Sequence, residues 1–311
     1  MSPSPSWLDT TSYPFRTRTF MTSEGALSYV DEGEGPVVLL VHGTPTWSFE
    51  YRHVIRDLSR DHRCIAIDHL GFGLSAKPPM SALQLEGHAR RLRALVEQLD
   101  LRGITLVVHD FGGPIALPLA LEEDPRIRGL VVLNSWMWPS DADPAIARID
   151  RLVRSGLGRI LYRVFGFSAR VLLPSAFGDR RRLTKAIHGQ YLAPLSSRRA
   201  RDGTYAMALA LKGEDPYYAS LWDRRRRLEE VRAVIVWGMK DPFIPPAYLD
   251  RWGQAMPQAR VVHAMEAGHF VAEAPAAQLP SVNAGETTTL AWVHPPAALA
   301  AHARGEFPME F

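Results

Sequence analysis

The segment Val107-Val108-His109-Asp110-Phe111-Gly112-Gly113 reads as a buried strand that runs into a Gly-Gly turn and then an apolar helix. A sharp strand-to-helix turn of this kind exposes one side chain at its tip, and here that side chain is a carboxylate. Glycines in the turn let the strand and helix backbones approach closely. A serine in this place needs a base to take its proton before it can attack. A carboxylate, with a reference pKa of about 3.9, is already ionised at neutral pH. It can displace a leaving group from a saturated carbon directly and become an alkyl ester, which a histidine-activated water then hydrolyses. Aspartate is also a common helix cap, so the chemistry depends on whether Asp110 has partners.

Two partners stand further along the chain. His269, in Glu266-Ala267-Gly268-His269-Phe270, follows the last β-rich run at a strand-to-helix junction and is the candidate general base. The acid that orients it has two candidate seats. One follows Val132-Leu133, where the chain carries Asn134, which cannot balance an imidazolium as a carboxylate does. The other follows Ala233–Trp237, in Gly238-Met239-Lys240-Asp241-Pro242, and Asp241 is preferred to Asp141 or Asp143. A further loop, Leu40-Val41-His42-Gly43-Thr44-Pro45, also leaves the end of a strand; its His42 reads as a structural histidine satisfied within the loop.

These residues need a frame that brings several strand ends together. β-rich runs are expected at Phe15–Met21, Ala26–Asp31, Val37–Val41, Cys64–Ile67, Ile104–Val108, Leu130–Leu133, Ala233–Trp237 and Val261–Met265. Continuous apolar runs of this length suit strands buried on both faces of a parallel sheet. Between them, Leu83–Leu99 places Leu85, Leu92, Leu95, Val96 and Leu99 largely on one helical face. Ile115–Leu121 and Pro246–Met256 are two more candidate helices. Strand alternating with helix implies an α/β, mostly parallel, doubly wound sheet with ligands beyond its C-terminal strand ends.

The alternation stops after Leu133 and resumes only at Ala233, roughly 100 residues later and too long a gap for a plain loop. The intervening Arg-, Leu- and aromatic-rich stretch reads as a helical cap at 139–216, over a core formed by 15–138 and 217–311. A cap walls a pocket and keeps water out of it. After Val271 a last helix is expected, with a further short one between Leu290 and Ala301.

Composition narrows the function classes. Among 311 residues, 36 cations against 33 anions leave a formal charge of +3, too small for a nucleic-acid-binding field. The arginine runs Arg180 to Arg182 and Arg224 to Arg227 read as solvated faces or carboxylate partners. Cys64 lies within an apolar run and reads as core. With no signal-like start and no long apolar span, a cytoplasmic location is expected. The expected partners are a small apolar organic substrate and water, with neither nucleic acid nor membrane, no metal and no cofactor.

The motifs resemble the haloalkane dehalogenase and epoxide hydrolase branch of the α/β-hydrolases. The resemblance rests on His42-Gly43-Thr44-Pro45-Thr46-Trp47-Ser48-Phe49-Glu50-Tyr51-Arg52, Asp68-His69-Leu70-Gly71-Phe72-Gly73-Leu74-Ser75, His109-Asp110-Phe111-Gly112-Gly113, Gly238-Met239-Lys240-Asp241 and Gly268-His269-Phe270-Val271-Ala272-Glu273. It spans about residues 15 to 275 except the cap, and looks strongest to haloalkane dehalogenases. It implies the α/β-hydrolase fold, the chain order nucleophile, acid, histidine, and an oxyanion site made by the amides of Thr44 and Phe111.

Two departures bear on the leaving group. The family holds a departing halide with side-chain N–H donors, commonly a tryptophan after the nucleophile plus an asparagine in the His-Gly loop or a cap tryptophan. Here those positions are Phe111, which has no N–H, and Thr44, and no tryptophan occurs between Pro139 and Leu221. Trp136 and Trp138, which follow the sixth strand, are candidates either for pocket donors or for core or cap packing. The resemblance therefore implies a halogenated alkane as the leading substrate class, with an epoxide as the alternative; a strained lactone is a third electrophile that an aspartate nucleophile can open. Epoxide opening needs a proton donor, usually two cap tyrosines in that family; of Tyr162, Tyr191, Tyr205, Tyr217 and Tyr218, Tyr191 and Tyr205 are preferred.

Overall fold

The computed structural model of the chain describes residues 5–122, 124–140 and 144–274. Eight strands build one sheet: β1 (Thr17–Thr22), β2 (Gly25–Glu32), β3 (Val37–Val41), β4 (Arg63–Ile67), β5 (Ile104–Asp110), β6 (Ile127–Ser135), β7 (Arg232–Gly238) and β8 (Arg260–Ala264). Their spatial order is β1-β2-β4-β3-β5-β6-β7-β8. The β1/β2 and β2/β4 pairs are antiparallel, and every pair from β4 through β3 to β8 is parallel.

The apolar runs dictate this arrangement. β3 and β5 are buried along their whole length, as parallel strands covered on both faces must be. Alternate residues feed two cores: Leu39, Val41, Leu106, Val108, Leu130 and Val132 face one, and Val38, Leu40, Val107, Val131 and Leu133 face the other. On the first face lie α2 (Leu85–Gln98), α3 (Gly112–Leu121) and α10 (Tyr248–Ala255), through side chains such as Leu92, Ile115 and Trp252. The second face is covered by α1 (Arg52–Leu58) through Val54, Ile55 and Leu58. Each such aliphatic side chain contributes about 1.5–3 kcal/mol through burial.

Between β6 and β7 the chain leaves the sheet for α4 (Pro144–Arg154), α5 (Gly156–Ile160), α6 (Leu173–Ala176), α7 (Lys185–Leu192), α8 (Asp202–Gly213) and α9 (Asp215–Asp223). Gly166, at φ 63°, ends the helical run that continues from α5, a position where a left-handed backbone favours glycine. α9 returns to the sheet layer, and the Tyr217 hydroxyl donates to the Pro114 carbonyl of α3 (2.9 Å).

The expected elements form, with shifted ends. β5 runs on to Asp110 and β6 to Ser135, because ladder hydrogen bonds continue past the apolar residues that mark a strand in sequence. α3 starts at Gly112, not Ile115: its glycines are needed for close packing, which overrides their poor helix propensity. The helices expected after Val271 and between Leu290 and Ala301 lie essentially outside the described residues, as do Asp141 and Asp143. Cys64 is fully buried, and burial pushes its thiol up to about 12.

Candidate active site

Five strand ends converge. β5 delivers Asp110, the loop after β3 delivers Thr44, β6 is followed by Trp136 and Trp138, β7 by Asp241, and β8 by His269. Asp110 occupies a left-handed backbone conformation, φ 49°, an uncommon state that persists only where its surroundings hold it. They do: the Ser135 hydroxyl donates to the Asp110 carbonyl at 2.6 Å. The neighbouring glycines leave no room for a side chain. A Cβ on Gly43 would lie 2.2 Å from Asp110 Oδ1, one on Gly112 2.1 Å from the Val41 carbonyl oxygen, and one on Gly113 2.0 Å from Ser135 Oγ. Asp110 does not cap α3; that place falls to Phe111, with no side-chain cap. Instead Asp110 Oδ1 accepts the Thr44 amide at 2.8 Å.

His269 lies between two carboxylates. Its Nδ1 is 2.8 Å from Asp241 Oδ2, and its Nε2 is 3.5 Å from Asp110 Oδ2. All three side chains are buried. Burial opposes a charge on the imidazole, but Asp241 and Asp110 outweigh it and raise its pKa to about 10. Burial likewise opposes ionisation of Asp110 and Asp241, yet His269 and the backbone amides hold both below the usual carboxylate range. Asp241 Oδ1 accepts the amides of Phe243 (2.7 Å) and Ile244 (3.1 Å), fixing the carboxylate against the ring.

Asn134, passed over as an acid, has a supporting place. Its amide nitrogen donates to Asp241 Oδ2 at 2.6 Å, and its oxygen accepts the Gly238 amide at 2.7 Å. It therefore ties the alternative acid seat to the occupied one. Its sequence signal was its position at the end of β6. His109 supports the histidine loop by donating from Nε2 to the His269 carbonyl (2.9 Å); Glu50 approaches its other nitrogen at 2.8 Å without hydrogen-bonding geometry. His42 is structural: it is fully buried, accepts the His69 amide (3.1 Å), and burial lowers its pKa to about 3.

The three side chains are served by a cavity of about 510 Å³, within the 300–1,000 Å³ range of small-molecule sites. Asp110, His269, Thr44, Phe111, Trp136 and Trp138 all line it, with an apolar wall from α4 and the residues after α5. Phe111 packs edge-on to Trp136, ring centroids 4.9 Å apart. Thr44 Oγ1 is buried with no hydrogen-bond partner among the described residues.

The two preferred tyrosines are not in the cavity. The Tyr191 hydroxyl donates to Glu273, which also pairs with Arg52 beneath the site. That of Tyr205 donates to the Val153 carbonyl at 3.2 Å. Helical spacing shows which residues share a face but not which face meets the cavity. The tyrosines that line it are Tyr162, whose hydroxyl burial pushes up to about 12, and Tyr248.

A strand-end aspartate, histidine and second aspartate on this sheet define a class of hydrolase. A family model described as alpha/beta hydrolase fold matches residues 36–274, and the chain belongs to that family. Within it, the chain is 36% identical over 263 residues to "Haloalkane dehalogenase 2" of Mycobacterium tuberculosis, covering 84% of this chain and 91% of that one. It therefore belongs to the haloalkane dehalogenase and epoxide hydrolase branch, on the dehalogenase side, and is a hydrolase. It is also 34% identical over 270 residues to a "Cis-3-alkyl-4-alkyloxetan-2-one decarboxylase" of Shewanella oneidensis, covering 84% of each. The haloalkane dehalogenase DatA from Agrobacterium tumefaciens C58 superposes with a TM-score of 0.74 at 24% identity, over 83% of this chain and 91% of that one, a likeness of fold.

Proposed function

We propose that this chain hydrolyses electrophiles at a saturated carbon through an ester on Asp110, with a halogenated alkane as the leading substrate class and residues 139–216 acting as the cap. The observation that carries this reading is the division of labour between the two Asp110 oxygens. Oδ1 is held by the Thr44 amide, while Oδ2 faces His269 in an apolar cavity.

Asp110 attacks the carbon and expels halide with the bonding electron pair, leaving a neutral ester. That change removes one of the two charges that raise the His269 pKa, so the imidazole gives up its proton more readily, to solvent water, where it balances the released halide, and becomes a base. Neutral His269 takes a proton from water through Nε2 as the water oxygen attacks Asp110 Cγ. The tetrahedral oxyanion develops on the ester's carbonyl oxygen, where the Thr44 amide already sits and the Phe111 amide is the second candidate donor. Collapse releases the alcohol, which takes the proton from His269; the Asp110 carboxylic acid left behind, one oxygen now from water, then loses its proton to neutral His269, restoring the carboxylate and the imidazolium. Asp241 holds the ring and balances the imidazolium. Candidate donors to the departing halide are Thr44 Oγ1 and the indoles of Trp136 and Trp138.

A strained four-membered lactone is the second reading, supported by the oxetan-2-one relative and by Phe111. On opening at its saturated C–O carbon, the leaving carboxylate stays tethered to the substrate, so the site needs no separate halide cradle. A panel of bromoalkanes, epoxides and β-lactones separates these chemistries. Bromide release is the expected result. Lactone consumption without bromide would move the chain to the second reading, and diol alone would make it an epoxide hydrolase.

A further inference from the structure

Eleven large apolar side chains are exposed among the described residues, and seven of them fall between Ile149 and Val171. The most exposed of these are Leu157 (59%) and Phe165 (61%). Scattered exposed apolar residues need no explanation, but a concentration of this kind marks a contact surface. α4 sets Ile149 and Leu152 three residues apart, and the helical run from Gly156 sets Leu157, Ile160 and Val164 at positions i, i+3 and i+7, one stripe. Ile149 and Leu152 also line the substrate cavity, so this outer surface and the cavity wall share residues.

The same stretch is strongly cationic. Residues 144–171 hold six arginines against one acid, Asp150, in a chain whose total charge is only +3. Arg154 pairs with Asp150 and Arg163 with Asp202. Arg148, Arg151, Arg159 and Arg170 are exposed and have no ion pair among the described residues.

We propose that this face docks on an anionic lipid surface, with the arginines at the headgroups, Leu157 and Phe165 at the acyl boundary, and the cavity rim turned toward the membrane. Apolar side chains interleaved with arginines are the composition of an interfacial surface, and an anionic leaflet supplies the complementary charge. A second copy fits less well, because two-fold pairing sets the same cationic patch against itself. No helix among the described residues is long and apolar enough to cross a membrane, so the contact is peripheral. Docking is independent of the leaving group; uptake of a lipid-dissolved electrophile through this rim rests on the reading of Asp110 given above.

The test is co-sedimentation of the full chain with vesicles of phosphatidylcholine alone or mixed with phosphatidylglycerol, at low and high salt. Binding is expected on the mixed vesicles and is weakened by salt. Arg151→Gln and Arg159→Gln each lower it about fivefold, and roughly 25-fold together. Leu157→Ser with Phe165→Ser lowers it as well. None of these four side chains lines the cavity, so turnover of a short water-soluble bromoalkane and the melting temperature stay near wild type. If that substrate is not turned over at all, the functional reading fails while the vesicle assay still reads docking. Absence of binding to anionic vesicles, or equal binding by the arginine variants, overturns the proposal. A dimer in sedimentation velocity that Phe165→Ser dissolves, without vesicle binding, overturns it too and assigns the face to a second copy.

Discussion

Nε2 of His269 faces Oδ2 of Asp110 across 3.5 Å, beyond a good hydrogen bond but close enough for each charge to feel the other. The ring's far side is anchored to Asp241 at 2.8 Å. The two carboxylates favour the charged form of the imidazole and hold its pKa well above that of a free histidine. On the proposed route the imidazole serves as a base only once one anion is spent, and Asp110 is the anion that ester formation spends.

Removing the base should stop the reaction at the ester. In His269→Gln, Asp110 can still attack, but water is no longer activated, and hydrolysis slows by about 10²–10⁴-fold. Intact-protein mass spectrometry should then show one alkyl group added, and peptide mapping should place it on Asp110. An unmodified variant, incubated with a substrate that wild type consumes, rules out the covalent route.

The same pair sets a pH dependence. The His269 pKa, about 10 in the folded chain, exceeds the value near 6.5 of an unfolded histidine. Its pairing thus stabilises the fold fully below about 6.5 and loses that contribution as pH rises through about 10. The lowered pKa values of Asp110 and Asp241 act oppositely: their contribution is present above about 3.9 and is lost as pH falls through the lowered values. Asp110→Asn mimics the uncharged ester, so NMR titration should find its imidazole deprotonating at lower pH than in wild type. Equal midpoints would show that Asp110 does not govern the base.

Much of this site could be read from the chain, and the reasons are local. Asp110 closes one buried apolar strand and Asp241 follows another, while His269 follows the half-exposed edge strand β8, so the sheet fixes their neighbourhood. The glycines beside Asp110 are legible because a turn this tight excludes a Cβ. Tyr191 and Tyr205 were misplaced because they lie on helices outside the sheet, where spacing gives a face but no direction. Asn134 was legible as a position, but its three hydrogen bonds to the Asp241 segment cross 104 or 107 residues of sequence, and no local pattern carries that. The sequence marks 139–216 as a helical cap, but it does not show which apolar stripe of α4 and α5 goes uncovered, because spacing gives a face and no direction.

Gly43 offers a steric test of the nucleophile's placement. An added methyl would meet Asp110 Oδ1 at 2.2 Å and its Cβ at 2.4 Å. Gly43→Ala should cost about 1–3 kcal/mol of stability from overpacking, a drop of several degrees in melting temperature. Activity should fall further, by about 100-fold, because displacing a reacting group by an ångström costs that much. Calorimetry beside steady-state kinetics checks both. A variant that melts lower but turns over as wild type would mean that the carboxylate's present position is not the reactive one.

A substitution at Phe111 separates the two proposed chemistries. Its ring lines the cavity beside Asp110 and rests edge-on against Trp136, so an indole in its place keeps the aromatic contact and adds an N–H. A hydrogen bond to a charged group is worth about 1.5–3 kcal/mol, or about ten- to a hundredfold in a step that expels halide. Phe111→Trp should therefore speed bromide release, read as a single-turnover burst. Lactone opening should change little, because its leaving carboxylate never separates from the substrate. If bromide release is unchanged while lactone opening falls, the position shapes the pocket and donates nothing, and the halide must be held by Thr44, Trp136 or Trp138.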